Sequence, residues 1–179
     1  MAFTFTPLTG ADFERLSGWL RQPHVERWWP GPNDVASIVT RYQPLVDGTD
    51  PTRAFICHLG DRPIGYVQAY QLADEPEWRA TVAAVLGDIE AVGIDYFIGE
   101  VDLVGRGNGS AMIEAFFASV WRAYPEVSQV VVAVQQANAA SWGALEHAGF
   151  SRAWEGRLDT DDPSDQGPAY LYRTERPRA

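Results

Sequence analysis

Between residues 92 and 134 a strand-like segment, "VGIDYFIG", leads into "LVGRGNGS", then an amphipathic run, then "SQVVVAV". Gly105, Gly107 and Gly109 fall at alternate positions immediately ahead of the amphipathic run. Glycines at that density cost conformational entropy, so the backbone there needs angles or clearances that a side chain forbids. In the leading strand Val92, Ile94, Tyr96 and Ile98 share one face, and Gly93, Asp95 and Phe97 share the other. The helix that follows carries Met112, Ile113, Phe116, Phe117, Val120 and Tyr124 on one side and ends near Pro125. "SQVVVAV" is apolar enough for a central strand buried on both faces.

Around this unit the chain alternates short elements. "FTFTPL" reads as a strand, and Thr9 or Asp12 is placed to cap a helix whose apolar residues are Phe13, Leu16, Trp19 and Leu20. "PHVERWWPGPND" breaks that helix, and a second spans about Asp34 to Val46. "RAFICHL" and "PIGYVQAYQL" form a hairpin through Gly60, Asp61, Arg62 and Pro63. Residues 73–91 lack a clear period and read as a long loop with a short helix at "EWRATVAAVL". Asn138 caps "AASWGALEHAGF", Gly149 stops it, and "GPAYLYRT" completes the sheet. No repeat, low-complexity segment or linker divides the 179 residues, so one domain over 1–179 is expected.

Composition narrows the partners. Twenty-four acids against fourteen bases give a net charge of −10, which disfavours nucleic acid and anionic lipid and favours a cationic ligand. No apolar run is long enough for a membrane span, and the start lacks the layout of a secretory signal. With a single cysteine, Cys57, no internal disulfide is possible, and a cytoplasmic location is expected. The three histidines, His24, His58 and His147, show no metal-ligand spacing, so no metal is expected.

Glycines opening a helix suit a pyrophosphate, because unpaired N–H groups and the positive end of the helix dipole face the anion there. Arg106 adds a charge at the rim. A P-loop is excluded by the missing lysine and the spacing. A dinucleotide-binding turn is excluded by the glycine spacing and because the next strand ends "AVQQ", without an acid for a ribose.

The run Val104-Gly105-Arg106-Gly107-Asn108-Gly109 resembles the acetyl-CoA loop of the GNAT superfamily of N-acetyltransferases, departing from it at Val104, where the family has Arg or Gln. The blocks "WLRQPHVERWW", "PIGYVQAY", "GID", "NAASWGALEHAGF" and "GPAYLYRT" occur in the order, and at roughly the spacings, of the aminoglycoside 6'-N-acetyltransferases within that superfamily. The resemblance implies a single-domain α/β (α+β) GNAT fold. Its mixed, mostly antiparallel sheet would have six to seven strands and about four flanking helices, with central strands 92–98 and 128–134 splayed apart.

The activity implied is transfer of acetyl from acetyl-CoA to the 6'-amine of an aminoglycoside by direct attack, conferring antibiotic resistance. By the same resemblance Val104, Gly105, Arg106, Gly107, Asn108, Gly109 and Ser110 cradle the diphosphate. Backbone groups of Phe97, Ile98 and Gly99 hold the pantetheine arm, and Asn138 contacts its far end. Asp95, in "GID", is the carboxylate that binds the target amine and takes its proton. Trp28, Gln68, Tyr70 and Asp88 are the further substrate-binding positions. Acids at 74–100 and at 155–165, among them Glu100, Asp159, Asp161 and Asp162, suggest a cation trap around the acceptor.

Two positions depart from the family. Ala133 stands where related enzymes carry an aspartate, and Leu145 where many carry a general-acid tyrosine, so either the coenzyme A thiolate leaves unassisted or through water, or Tyr170 or Tyr172 stands in. Two other readings therefore stay open: a siderophore-pathway lysine N6-acyltransferase of the same fold, and a non-catalytic acyl-CoA-binding module. In each case the protein is expected as a monomer or homodimer.

Overall fold

The computed structural model describes residues 2–160 and 162–177. The chain divides into two compact units: one comprises the chain to Ala69 together with Asp95–Met112, the other Tyr70–Ile94 together with the chain from Ile113. Seven strands form a mixed sheet, as the GNAT resemblance implies.

In the first unit β1 (Phe3–Pro7) pairs antiparallel with β2 (Arg53–Leu59), which turns at Gly60 into β3 (Arg62–Gln71). Gly60 has φ 63°, so glycine is required at that turn, and a bulge at Cys57/His58 shifts the β2–β3 register. β4 (Val92–Ile98) lies beside β3. Three helices belong here: α1 (Phe13–Leu20), α2 (Pro23–Glu26) and α3 (Val35–Asp47).

The local causes are visible in each case. Thr9 donates its backbone N–H (3.1 Å) and its hydroxyl (2.8 Å) to Asp12, the reciprocal cap at the entry to α1. Pro23 opens α2, turning part of the expected break into one helical turn. Asp34 accepts from the Ser37 N–H at 3.1 Å to start α3, and Gly48, at φ 72°, stops it. Phe13, Leu16, Trp19 and Leu20 of α1 are all buried, in one core with Ile38, Tyr42, Ile56, Tyr66 and Phe97. Ser17, also buried, donates to the carbonyl of Asn33 at 2.6 Å, which ties α1 to the segment entering α3.

In the second unit the strand order is β4, β5 (Gln129–Gln135), β7 (Pro168–Glu175), β6 (Ser151–Arg157). β4 and β5 run parallel through Val92↔Val130 and Gly93↔Val131, and from Asp95 onward β4 belongs to the first unit. β5 and β7 pair antiparallel along their length, Gln129↔Glu175 to Gln135↔Ala169. Val130, Val131 and Val132 are buried in succession, as a strand covered on both faces requires.

Within the segment read as a long loop, the short helix expected at "EWRATVAAVL" forms as α4, Pro76–Leu86. Its apolar residues do not form one stripe, which hides the period. The terminal signals are nevertheless present, with proline in its first turn and Gly87, at φ 81°, just past its end. Leu72, Val82 and Ala91 share a core with Val131, Leu158, Ala169 and Leu171. At the end of α5 (Asn108–Ala123) the Arg176 guanidinium donates to the backbone oxygen of Trp121 (3.4 Å) inside the helix and to those of Tyr124 (2.7 Å) and Val127 (2.9 Å) just beyond it. α6 (Ala139–His147) starts at Asn138, whose side chain accepts from the Ser141 N–H at 3.2 Å. Among the described residues no helix is long and apolar enough to cross a membrane.

Cys57 is fully buried, and desolvation pushes its thiol up to about 12. A thiol whose folded pKa is raised stays protonated while the unfolded one ionises, so this group withdraws stability as pH rises above the free-thiol value. Native protein at pH 8 should not react with an aromatic disulfide reagent, and one thiol per chain should react once denaturant unfolds it.

Candidate functional site

Alternation along β3 and β4 builds the centre of the first unit. Tyr66 and Gln68 on β3 meet Phe97 and Asp95 on β4. The Phe97 ring stacks on Tyr66 with centroids 5.5 Å apart. Gln68 donates from Nε2 to Asp95 Oδ2 at 2.8 Å and accepts the Tyr66 hydroxyl at Oε1 at 2.6 Å. Burial, reinforced by the nearby Tyr42 and Asp95, holds the Tyr66 phenol well above its usual pKa, so it remains a donor. An ionised carboxylate only accepts, so this orientation of the Gln68 amide is the one that suits both neighbours. Asp95 itself is half-buried, and its charge also helps raise the Tyr42 phenol, behind the larger effect of desolvation.

The strands come this close because Gly65 lacks a side chain. A Cβ there would lie 2.3 Å from the carbonyl oxygen of Phe97. In the second unit the same alternation sets Gly93 against Tyr70, where a Cβ would lie 2.4 Å from ring atoms.

Aromatic rings form the floor of this region. Trp29 meets Phe97 edge-on at 5.1 Å and Tyr66 at 5.9 Å, so the second tryptophan of the pair belongs to the core. Trp28 is half-buried, with the Arg27 guanidinium 4.7 Å above its ring.

Beyond Phe97 the chain is pinned from several sides before it reaches the glycines. His24 Nε2 lies 3.0 Å from the Ile98 carbonyl oxygen. The Gly99 N–H donates to Ile64 O at 2.8 Å, and a Cβ at Gly99 would fall 2.2 Å from Cγ of Trp19. The Trp19 indole donates to Glu100 at 2.9 Å, and Arg62 pairs with both Glu100 and Asp102. A 3-10 turn, Val101–Leu103, then delivers Val104 in an extended conformation.

Gly105 and Gly107 take φ 72° and 79°, and nothing lies within 4 Å of where a Cβ at either would stand. Their requirement is therefore conformational, with open space on the side-chain side. Gly109 differs from the sequence expectation: the helix begins at Asn108, so the third glycine sits inside its first turn. Asn108 donates to Leu103 O at 2.9 Å and Ser110 to Gly107 O at 2.9 Å, which closes the turn on the helix start. An open left-handed turn, first-turn amides without intrahelical acceptors and Arg106 form a cradle suited to a diphosphate.

The first unit thus holds Trp28, Gln68, Asp95, Phe97, Ile98, Gly99 and the run Val104 to Ser110, whereas Tyr70, Asp88 and Asn138 belong to the second. Asp88 accepts from Arg79 at 3.1 and 2.9 Å, so its charge is partly offset. Glu100, counted among the acids of the cation trap, is committed to Trp19 and Arg62. Asp161 lies outside the described residues. Leu145 is fully buried, and Ala133 packs beside the core that holds Val131. The Tyr172 hydroxyl donates to Glu146 at 2.7 Å and accepts from Arg152, so it is already engaged. Tyr170 lies under the Arg152 guanidinium at 3.7 Å.

Residues 9–158 match the acetyltransferase (GNAT) domain, and the chain belongs to that family of acetyl-CoA-dependent acetyltransferases. Its structure is similar to aminoglycoside acetyltransferase AAC(6')-Ib in complex with coenzyme A and kanamycin. That match has 25% identity and a TM-score of 0.78 over 98% of this chain and 95% of that one. The same enzyme with paromomycin and acetyl-CoA gives 24% identity and a TM-score of 0.79 over 98% and 94%. The aminoglycoside N(6')-acetyltransferase of Legionella pneumophila gives 21% and 0.71 over 97% and 91%. No curated protein sequence matches the chain.

Gly65→Ala should force β3 from β4. We expect a loss of about 1–3 kcal/mol in denaturant unfolding, as for other overpacked sites. Acetyltransferase activity should fall further than stability, because the Gln68–Asp95 bond spans the same strands.

Proposed function

We propose that the protein transfers the acetyl group of acetyl-CoA to the 6'-amine of aminoglycosides. The observation that carries this reading is Asp95, an acid fixed by a Tyr66-to-Gln68 hydrogen-bond chain, from which the chain runs by way of Ile98 to Val104 into the glycine turn at Gly105. The net charge of −10 and the likeness to enzymes solved with kanamycin and paromomycin agree with a polycationic acceptor.

Asp95 attracts the ammonium form of the acceptor and, directly or through a water, takes the proton that the amine must lose to attack. Gln68 holds Oδ2 in place, which keeps the carboxylate oriented without sharing a proton with it. Backbone groups of Phe97, Ile98 and Gly99 orient the donor's arm, and the turn from Val104 to Ser110 takes its diphosphate, with Arg106 at the rim. Asn138 touches the arm's far end. Trp28, Tyr70 and Asp88 contribute to acceptor binding, Trp28 in competition with Arg27 for its ring face. Acetyl-CoA supplies an activated thioester whose thiol leaving group is acidic enough to depart without a protein proton donor, consistent with leucine at position 145.

Thiol release from acetyl-CoA tests the proposal, measured with kanamycin, tobramycin, hydroxylysine and no acceptor. Turnover with the aminoglycosides is the expected result. Turnover with hydroxylysine alone would instead make the protein a lysine acyltransferase, and coenzyme binding without turnover on any amine would make it a binding module. Asp95→Asn should lower kcat by about 10²–10⁴-fold with the Kd for acetyl-CoA unchanged. Wild-type turnover in that variant removes Asp95 from the mechanism.

A further inference from the structure

The run from Ile98 to Gly105 presents a physical contradiction. It leads into a turn that suits a polyanion, yet it carries two acids, Glu100 and Asp102, five and three residues before Gly105. Two carboxylates there oppose the approach of a diphosphate.

The contradiction is relieved from β3. Arg62, the first residue of that strand, donates from Nη1 to Asp102 Oδ2 at 2.9 Å and from Nη2 to Asp102 Oδ1 at 2.8 Å, a two-pronged pairing, and its Nη2 also bonds Glu100. The arginine fork matches a carboxylate in this way, whereas a lysine offers a single point charge. Isolated surface ion pairs contribute little, but a bidentate arginine bridging two acids is the geometry in which they do. Glu100 is further held by the Trp19 indole, so its carboxyl lies below the usual range, first through that N–H and then through Arg62. Asp102 is likewise lowered, chiefly by its hydrogen bonds to Arg62, with Arg106 adding to the effect. Asp102 therefore senses the one cation inside the glycine turn. Deprived of Arg62, Asp102 is left to compete for Arg106 and to withdraw it from an incoming phosphate.

We propose that Arg62 is a positioning residue for coenzyme binding. By pairing Glu100 and Asp102 it removes their charge from the approach to the glycine turn and leaves Arg106 available to the diphosphate. This rests on the reading of Val104 to Ser110 as the coenzyme turn. A general stabilising role predicts equal harm from removing either partner of the pair, whereas charge compensation predicts asymmetry.

Titration calorimetry with coenzyme A, together with thermal unfolding, tests it on wild type, Arg62→Ala, Asp102→Asn, the double variant and Gly107→Val. Arg62→Ala should weaken coenzyme A binding about fivefold, with the deficit shrinking as salt rises. Asp102→Asn should stay within about twofold of wild type, and Arg62→Ala/Asp102→Asn should recover most of the loss. The KM for the amine should not change in any of the three. A folded Arg62→Ala protein with wild-type affinity overturns the proposal, and so does a double variant that binds as weakly as Arg62→Ala. Gly107→Val tests the underlying reading separately: unchanged coenzyme A affinity there removes the turn from the coenzyme site whatever the arginine variants do.

Discussion

The close approach of β3 and β4 at Gly65 is the constraint on which the centre of this protein depends. Only a hydrogen at that α-carbon lets the Phe97 carbonyl occupy its position. With the strands at that separation, every second residue of one meets every second residue of the other. Tyr66 then stacks on Phe97, and Gln68 reaches Asp95. A side chain at Gly65 disturbs the ring stack and the carboxylate together, because both are set by the same interstrand distance.

From that anchor the chain passes through a short stretch in which nearly every group is held. His24, Trp19, Ile64 and Arg62 engage Ile98, Gly99, Glu100 and Asp102 in turn. Conformational freedom returns only at Gly105 and Gly107, where left-handed backbone turns the chain into α5. This ordering suits a family whose chemistry depends on holding a long, flexible donor in place. The backbone that leads to the glycine turn is held by these contacts.

Much of this was legible in the sequence because it rests on period and punctuation. The alternation in "VGIDYFIG" separated Asp95 and Phe97 from Tyr96 and Ile98, and those two sets do occupy different environments, Phe97 in one core and Tyr96 and Ile98 beside another. The helix after the glycines and its buried face followed from 3.6-residue spacing. At 73–91 the short helix was legible in "EWRATVAAVL", which Pro76 and Gly87 bracket, although without a single apolar stripe α4 shows no amphipathic period. The third glycine misled for a related reason, since composition does not tell a left-handed glycine from one inside a first helical turn. Partners distant in sequence left no trace. Nothing in "DRPIG" reveals that Arg62 meets Asp102, forty residues on, and nothing in the tryptophan pair shows that Trp29 is core while Trp28 lies under Arg27. Local rules describe elements, whereas these contacts exist only after the sheet has formed.

Arg176 carries a consequence for how the molecule comes into being. The helix that begins at the glycine turn is tied at its far end, through the carbonyls of Trp121 and, just beyond it, Tyr124 and Val127, by the guanidinium of Arg176, which directly follows the last strand. During synthesis that helix therefore emerges with its end unsecured. The glycine turn at the other end of that helix therefore stands on a finished support only once Arg176 and the strand before it have been made and docked.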